Sequence, residues 1–224
     1  MTIRISCFLS AMLFWATVPQ ALALTNQLQE HPAPYLAQHG EDPVAWQEWS
    51  DSVFELARAE NKLVYVSVGY FSCHWCHVMQ EESYRDPEIA KVLNRDFIPV
   101  KVDRELQPAL DIGLMDFVQK TQGRGGWPLN AFLTPEGYPL YAVLYVPPDS
   151  FAEVIKKIQT LWQQDPVRIA TVARQTGPSG FEDQITEFES LQVATLGRAF
   201  EQTALSIADL MEGGFGNQSR FPYV

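Results

Sequence analysis

The apolar residues fall into blocks whose spacing switches between helical and extended periods. Asp42-Pro43 supplies an N-cap and a first-turn proline, and Trp46, Trp49, Val53, Leu56 and Ala57 follow on one face, which predicts a helix over 42–61 with the tryptophans packing inward. Leu63 to Phe71 is an apolar run of β-branched and aromatic residues and reads as a buried strand. A helix should start at Cys73 and run through Val78 and Met79 to about Tyr84. Asp86-Pro87 then opens a second stretch with Ile89, Ala90, Val92 and Leu93. Phe97 to Asp103 is the next strand, with Ile98, Val100 and Val102 alternating as in a partly covered sheet. Strand, helix and strand in this order imply a βαβ unit with parallel pairing and a right-handed crossover.

Pro108 to Thr121 repeats the helical pattern through Leu110, Leu114, Phe117 and Val118. The loop Gly123-Arg124-Gly125-Gly126-Trp127-Pro128 lacks the Lys-Ser/Thr of a phosphate cradle and precedes no helix, so it reads as a tight turn that aims Pro128. Leu129–Thr134 and Leu140–Val146 form a hairpin around Pro135-Glu136-Gly137. Ser150-Phe151-Ala152-Glu153 has the form of a capping box and opens a helix carrying Ile155, Ile158 and Trp162. Residues 24–40 are polar and proline-containing and read as an irregular arm, with His31 and His39 in surface or structural roles. Beyond residue 165, Phe188, Leu191, Leu196, Phe200, Leu205 and Leu210 recur at helical spacing. The expected organisation is a leader over 1–23, an α/β domain over 24–165 and a helical tail over 166–224 that packs on the domain or makes a homodimer contact.

The leader reading rests on a short basic region ending at Arg4, an apolar run from Ile5 to Val18 and the small-residue pattern Ala21-Leu22-Ala23. Such a segment is a signal peptide cleaved near Ala23. It implies a periplasmic or otherwise exported protein with no stable membrane span after processing. Cys7 would leave with it, so the mature chain would keep Cys73 and Cys76 alone, a pairing suited to a redox-active disulfide rather than a structural framework. The formal charge of −11 argues against nucleic acid as a partner.

Cys73-His74-Trp75-Cys76-His77 carries the chemistry. A Cys-x-x-Cys between strand and helix puts the first sulfur at a helix N-terminus, where free N–H groups and the dipole favour a thiolate, and puts the second one turn on along the same face. The two can close a small reversible ring, with Cys73 as nucleophile and Cys76 as the buried resolving thiol. The same five letters are also the attachment signature of c-type haem, and Cys73, Cys76 and His77 could bind copper or zinc in a metal-handling module. The pentapeptide alone does not separate haem from redox chemistry. Its place in a strand–helix–strand unit favours redox exchange, with no cofactor and no metal.

With that motif at the start of its second helix, the element order resembles the thioredoxin fold, a central mixed sheet flanked by helices. The resemblance implies that Pro128 is a cis-proline beside the disulfide and that the Trp127 backbone pairs with extended substrate. The stretches Ala33-Pro34-Tyr35-Leu36-Ala37-Gln38-His39, Asp42-Pro43-Val44-Ala45-Trp46, Cys73 to Met79, Glu82-Ser83-Tyr84, Val100 to Glu105 and Gly125-Gly126-Trp127-Pro128-Leu129 together resemble the N-terminal domain of the spermatogenesis-associated protein 20 type. Proteins of that type continue into a large helical toroid. Gly213-Gly214-Phe215-Gly216 resembles its first residues, and this chain is expected to act as the thioredoxin-like module without it.

Thioredoxins carry a buried carboxylate six positions before the first cysteine, where this sequence has Ser67. Proton transfer is therefore expected to use water, His77, Glu81 or Glu82. His74 should favour the Cys73 thiolate and raise the potential, and Trp75 should offer apolar surface to substrate. Partners would be protein thiols or disulfides and a redox partner protein.

Overall fold

The computed structural model describes residues 24–176, together with Arg198, residues 201–203, Leu205 and Ser206. The leader and most of the tail, including its proposed dimer contact, lie outside the described residues. Strand β1 (Leu63–Gly69) is buried along its whole length because it is central in the sheet order β2-β1-β3-β4. On one edge it pairs in parallel with β2 (Phe97–Asp103), Val66 opposite Val100, and on the other antiparallel with β3 (Leu129–Leu133), Val66 opposite Ala131. The hairpin to β4 (Pro139–Val143) completes a mixed four-stranded sheet.

Alternation along β1 feeds two apolar layers. Val64, Val66 and Val68 join Val53 and Ala57 of α2 (Asp51–Glu60) and Leu110, Leu114 and Phe117 of α5 (Pro108–Gln122). Leu63 and Tyr65 face the opposite way. They meet Met79 of α3 (His74–Met79), Leu93 of α4 (Pro87–Asp96) and Phe151 and Ile155 of α6 (Pro148–Gln164). Helix α3 runs into a π-helical turn, Gln80–Tyr84, and α4 restarts the chain under a true cap: the Asp86 carboxylate accepts from the N–H groups of Glu88 at 2.8 Å and Ile89 at 3.1 Å. Gly123, at φ 72°, ends α5 in the left-handed conformation that glycine adopts freely.

Four features differ from the sequence reading. The segment over 24–40 is not a loose arm. It forms a short helix, α1 (Pro34–Ala37), and buries Leu28, Tyr35, Leu36 and His39 in the second layer. Residues 42–50 are not helical, and α2 starts only at Asp51. The reason is that the Asp42 carboxylate is taken by side chains: it accepts from Trp46 Nε1 at 3.0 Å, from Gln80 Nε2 at 2.9 Å and from His39 Nδ1 at 2.7 Å. Ser150 caps nothing, because α6 already begins at Pro148, a residue whose fixed φ suits a first helical position. Finally, β2 is buried on both faces. Gln47 runs beside it, its N–H donating to Pro99 O at 2.8 Å and its carbonyl accepting from Lys101 N at 3.1 Å.

The helix after residue 165, α7 (Pro166–Thr176), also packs on the domain: Ala173 is buried, Ile169 and Ala170 touch the second layer, and Arg174 lies 5.3 Å from the centroid of the Tyr138 ring. Among the described residues no helix is long and apolar enough to cross a membrane.

Burial would raise the Asp42 pKa, but the hydrogen bond from His39, the charge His39 takes on at acid pH, and the bonds from Gln80 and Trp46 outweigh it and hold the carboxyl below its ordinary value. Burial, with the charge of Lys101 adding to it, lowers His39 to about 4, so His39 is neutral and its Nδ1–H donates. Asp42→Ala leaves three buried donors without an acceptor and should cost on the order of 3 kcal/mol or more. Asp42→Asn, which keeps an acceptor, should cost clearly less, both read from urea unfolding.

Candidate functional site

Strand β1 ends at Gly69, and Tyr70, Phe71 and Ser72 carry the chain to Cys73, whose N–H donates to Tyr70 O at 3.1 Å. Cys73 is the N-cap of α3: its carbonyl accepts from Cys76 N at 3.1 Å and His77 N at 3.2 Å, and its sulfur accepts from Cys76 N at 3.3 Å. The two sulfurs are joined in a disulfide, with the Cα atoms 5.2 Å apart. Cys76 has no exposed surface and Cys73 retains 4 %. Position and slight exposure favour attack at Cys73, while Cys76 is held inside.

His74 and Trp75 stand outside, and Trp75 is 51 % exposed. The Trp75 ring lies against that of Tyr145 with centroids 4.8 Å apart, and the Tyr145 hydroxyl donates to Glu82 at 2.6 Å. Glu81 pairs with Arg85 on the exposed side of the π-helical turn. These bonds commit both acids, expected as proton carriers, to surface partners. His77 Nε2–H donates to Phe71 O at 2.8 Å and so braces the loop before Cys73. Cys73 and Cys76 are joined to each other. Among the described residues no group of three or more His, Cys, Asp or Glu is placed to hold a metal ion.

The Trp127–Pro128 peptide is cis, and Pro128 is buried directly before β3, whose Leu129 pairs with Val68 near the end of β1. Trp127 is clamped from three sides. Its Nε1 donates to Asp111 Oδ1 at 2.7 Å, the Arg104 guanidinium sits 4.1 Å from its ring centroid, and the Tyr70 ring meets it edge-on at 5.6 Å. Arg104 closes the set by approaching Asp111 Oδ2 at 3.6 Å and donating its backbone N–H to Gly69 O at 2.9 Å.

Beneath the motif lies a buried polar chain that the sequence reading missed. Lys101 Nζ donates to Ser67 Oγ at 2.9 Å, Ser67 bonds the Tyr84 hydroxyl at 2.8 Å, and Tyr84 and Tyr65 both donate to Asn130 Oδ1 at 2.8 Å. Lys101 is fully buried among the rings of Tyr84, Tyr35 and Trp46, with its Nζ 4.7, 5.3 and 5.3 Å from their centroids. Ser67 thus does not leave its position empty: it accepts from an amine where a thioredoxin has a carboxylate. The available signal was strand period, since Lys101 alternates with Val100 and Val102. Only the packing of the arm shows that the Lys101 face is covered too.

A family model named Thioredox_DsbH and described as a protein of unknown function, DUF255, matches residues 25–178. Spermatogenesis-associated protein 20 of Homo sapiens is 44% identical over 146 residues, which cover 62% of this chain and 19% of that protein. An uncharacterized protein of Caenorhabditis elegans is 35% identical over 207 residues, covering 88% of this chain and 28% of its own length. The chain thus spans less than a third of these relatives. Among solved structures, one titled DsbH Oxidoreductase superposes with a TM-score of 0.42 at 16% identity over 68% of this chain and 96% of that one. A thioredoxin from Thermus thermophilus gives 0.40 at 17% identity, over 50% and 86%.

Burial lowers the Lys101 pKa to about 7, against the pull of the Asp42 carboxylate. The unfolded chain keeps that proton to much higher pH, so the wild type should gain stability over Lys101→Met as pH rises above 7, by at most about 1.4 kcal/mol per pH unit. Below pH 7 the difference should be flat, because lysine is then charged in both states. Urea midpoints of the two proteins across pH 6 to 9 provide the check.

Proposed function

We propose that this chain, which belongs to the Thioredox_DsbH (DUF255) family, is an exported thiol–disulfide oxidoreductase that exchanges its Cys73–Cys76 disulfide with protein thiols and works on the oxidising side. The observation that carries the reading is the joined pair at the β1–α3 junction, with one sulfur capping the helix and slightly exposed and the other sealed inside. A substrate thiolate attacks Cys73 Sγ, the bond to Cys76 breaks, and a mixed disulfide forms. A second substrate thiol then releases the enzyme dithiol and the substrate disulfide. Trp75 against Tyr145 on one side and the clamped Trp127 with Pro128 on the other are the proposed rim that receives the substrate segment.

Two features support the oxidising direction. The Cys73 sulfur accepts a main-chain N–H, and the buried titratable group bonded at the Ser67 position is a lysine, cationic below about pH 7, rather than a carboxylate. Both favour thiolate over thiol, which stabilises the reduced form and raises the potential. The leader pattern over 1–23 supports an exported setting, where such a disulfide can persist. A redox partner protein would restore the starting state.

Cys73→Ser should reduce exchange with a dithiol peptide to background, whereas Cys76→Ser should accumulate mixed disulfides that migrate as larger species until reductant is added. Equilibration with glutathione should show one two-electron transition with a midpoint above the roughly −270 mV of thioredoxin. A midpoint at or below that value would overturn the oxidising direction.

A further inference from the structure

Tyr35, on α1, is wholly buried, and its hydroxyl has no hydrogen-bond partner. Buried hydroxyls are normally paired, so an orphan one calls for a cause. The ring reaches the end of β1 at Gly69. A Cβ at Gly69 would collide with Tyr35 Oη and fall 2.7 Å from Cys76 Sγ. The phenol oxygen and the resolving sulfur therefore both border the space that this glycine leaves open. Of the three heavy atoms nearest that position, Tyr35 Oη and Cys76 Sγ are the two polar ones.

In the disulfide, Cys76 Sγ is an uncharged and weak acceptor, and the hydroxyl goes unbonded. Opening the bond changes one partner only. Cys76 Sγ becomes a thiol or thiolate, released from Cys73 and free to turn about its own side-chain bond, while Tyr35 is locked by packing.

We propose that Tyr35 is a redox-linked hydrogen-bond donor: its hydroxyl, orphaned while the disulfide is closed, bonds Cys76 Sγ once the disulfide opens and stabilises that sulfur as the leaving thiolate. The inference rests on the exchange reading above and deepens it. The substrate thiolate bonds to Cys73 Sγ, and the electron pair of the broken S–S bond goes to Cys76 Sγ. The Tyr35 proton stays on its oxygen throughout. In the reverse direction the same bond holds Cys76 ready to attack the mixed disulfide at Cys73. Burial, with Tyr84, Asp103 and Asp42 contributing negative charge, keeps the phenol protonated well above its ordinary pKa, so it remains a donor. The Lys101 amine, cationic below about pH 7, lies 5.3 Å from the centroid of the same ring. Asp103, paired with Gly69 across β1 and β2, has one carboxylate oxygen on the Glu105 N–H at 2.9 Å.

The test compares the reduction potential of the wild type and Tyr35→Phe in glutathione buffers. Phenylalanine keeps the ring and removes only the oxygen, so the oxidised variant should unfold at the same urea concentration as the wild type or a higher one. Its dithiol–disulfide equilibrium should shift roughly tenfold toward the disulfide, a potential lower by about 30 mV for a two-electron couple. A purely structural role would move the unfolding midpoints of both redox forms together and leave the potential in place. A wild-type transition that Tyr35→Phe reproduces within twofold overturns the inference and leaves the exchange reading standing. A wild type with no transition overturns both. Without any variant, infrared difference spectra of wild type carrying isotope-labelled tyrosine should show a C–O band shifting on reduction, and an unchanged tyrosine spectrum would overturn the inference as well.

Discussion

Strand β1 has no side turned to water. It has hydrogen-bonded strands on both edges and an apolar layer on each face, and all of its positions are buried. Polar atoms carried there or brought against it can find partners only inside the protein. That requirement organises the molecule from Ser67 outward. The serine hydroxyl accepts a hydrogen bond from Lys101 and joins Tyr84, and through Tyr84 reaches Asn130 on the next strand. The arm over 24–47 supplies the lid, placing Tyr35 and Trp46 on Lys101 and using Asp42 to fix Trp46, His39 and Gln80 in turn. Gln80 belongs to the helical segment that starts with the cysteines, so the lid and the motif share one network.

The same constraint explains what the sequence disclosed and what it hid. Local chemistry was legible: the unbroken apolar β1, Asp86-Pro87 at the start of α4, the hairpin of β3 and β4 and the cysteine pair at a helix start all follow from spacing. The family could be read from its joint motifs, and the matching model covers 25–178. What stayed hidden depends on contacts far apart in the chain. Asp42-Pro43 has the form of a helix start, yet the Asp42 carboxylate bonds a glutamine 38 residues further along the chain instead. Lys101 has the pattern of a solvated strand residue until the arm closes over it. Tyr35 sits among prolines that read as loop, and nothing local to it reveals that its hydroxyl arrives beside a sulfur.

Gly69 ties the buried network to the chemistry. Its backbone is ordinary strand, so the need for glycine comes from space alone: Tyr35 from the arm and Cys76 from the helix converge where a side chain would be. Its carbonyl accepts from Arg104, and Arg104 in turn packs on the Trp127 ring. Three sequence-distant segments thus meet around one residue with no side chain.

The single ladder contact made by Gln47 has a different consequence, for how the folded chain behaves among its own copies. Strand β2 would otherwise present an open row of donors and acceptors, the template along which sheets grow from one molecule into the next. Gln47 takes the groups of Pro99 and Lys101, and the chain then turns off through Glu48 and Trp49 into α2, too short a partner to be extended by another strand. The opposite edge belongs to β4, which is brief, begins at a proline and pairs with β3 through an irregular register. Neither edge offers a long, regular ladder along which a second copy could extend the sheet.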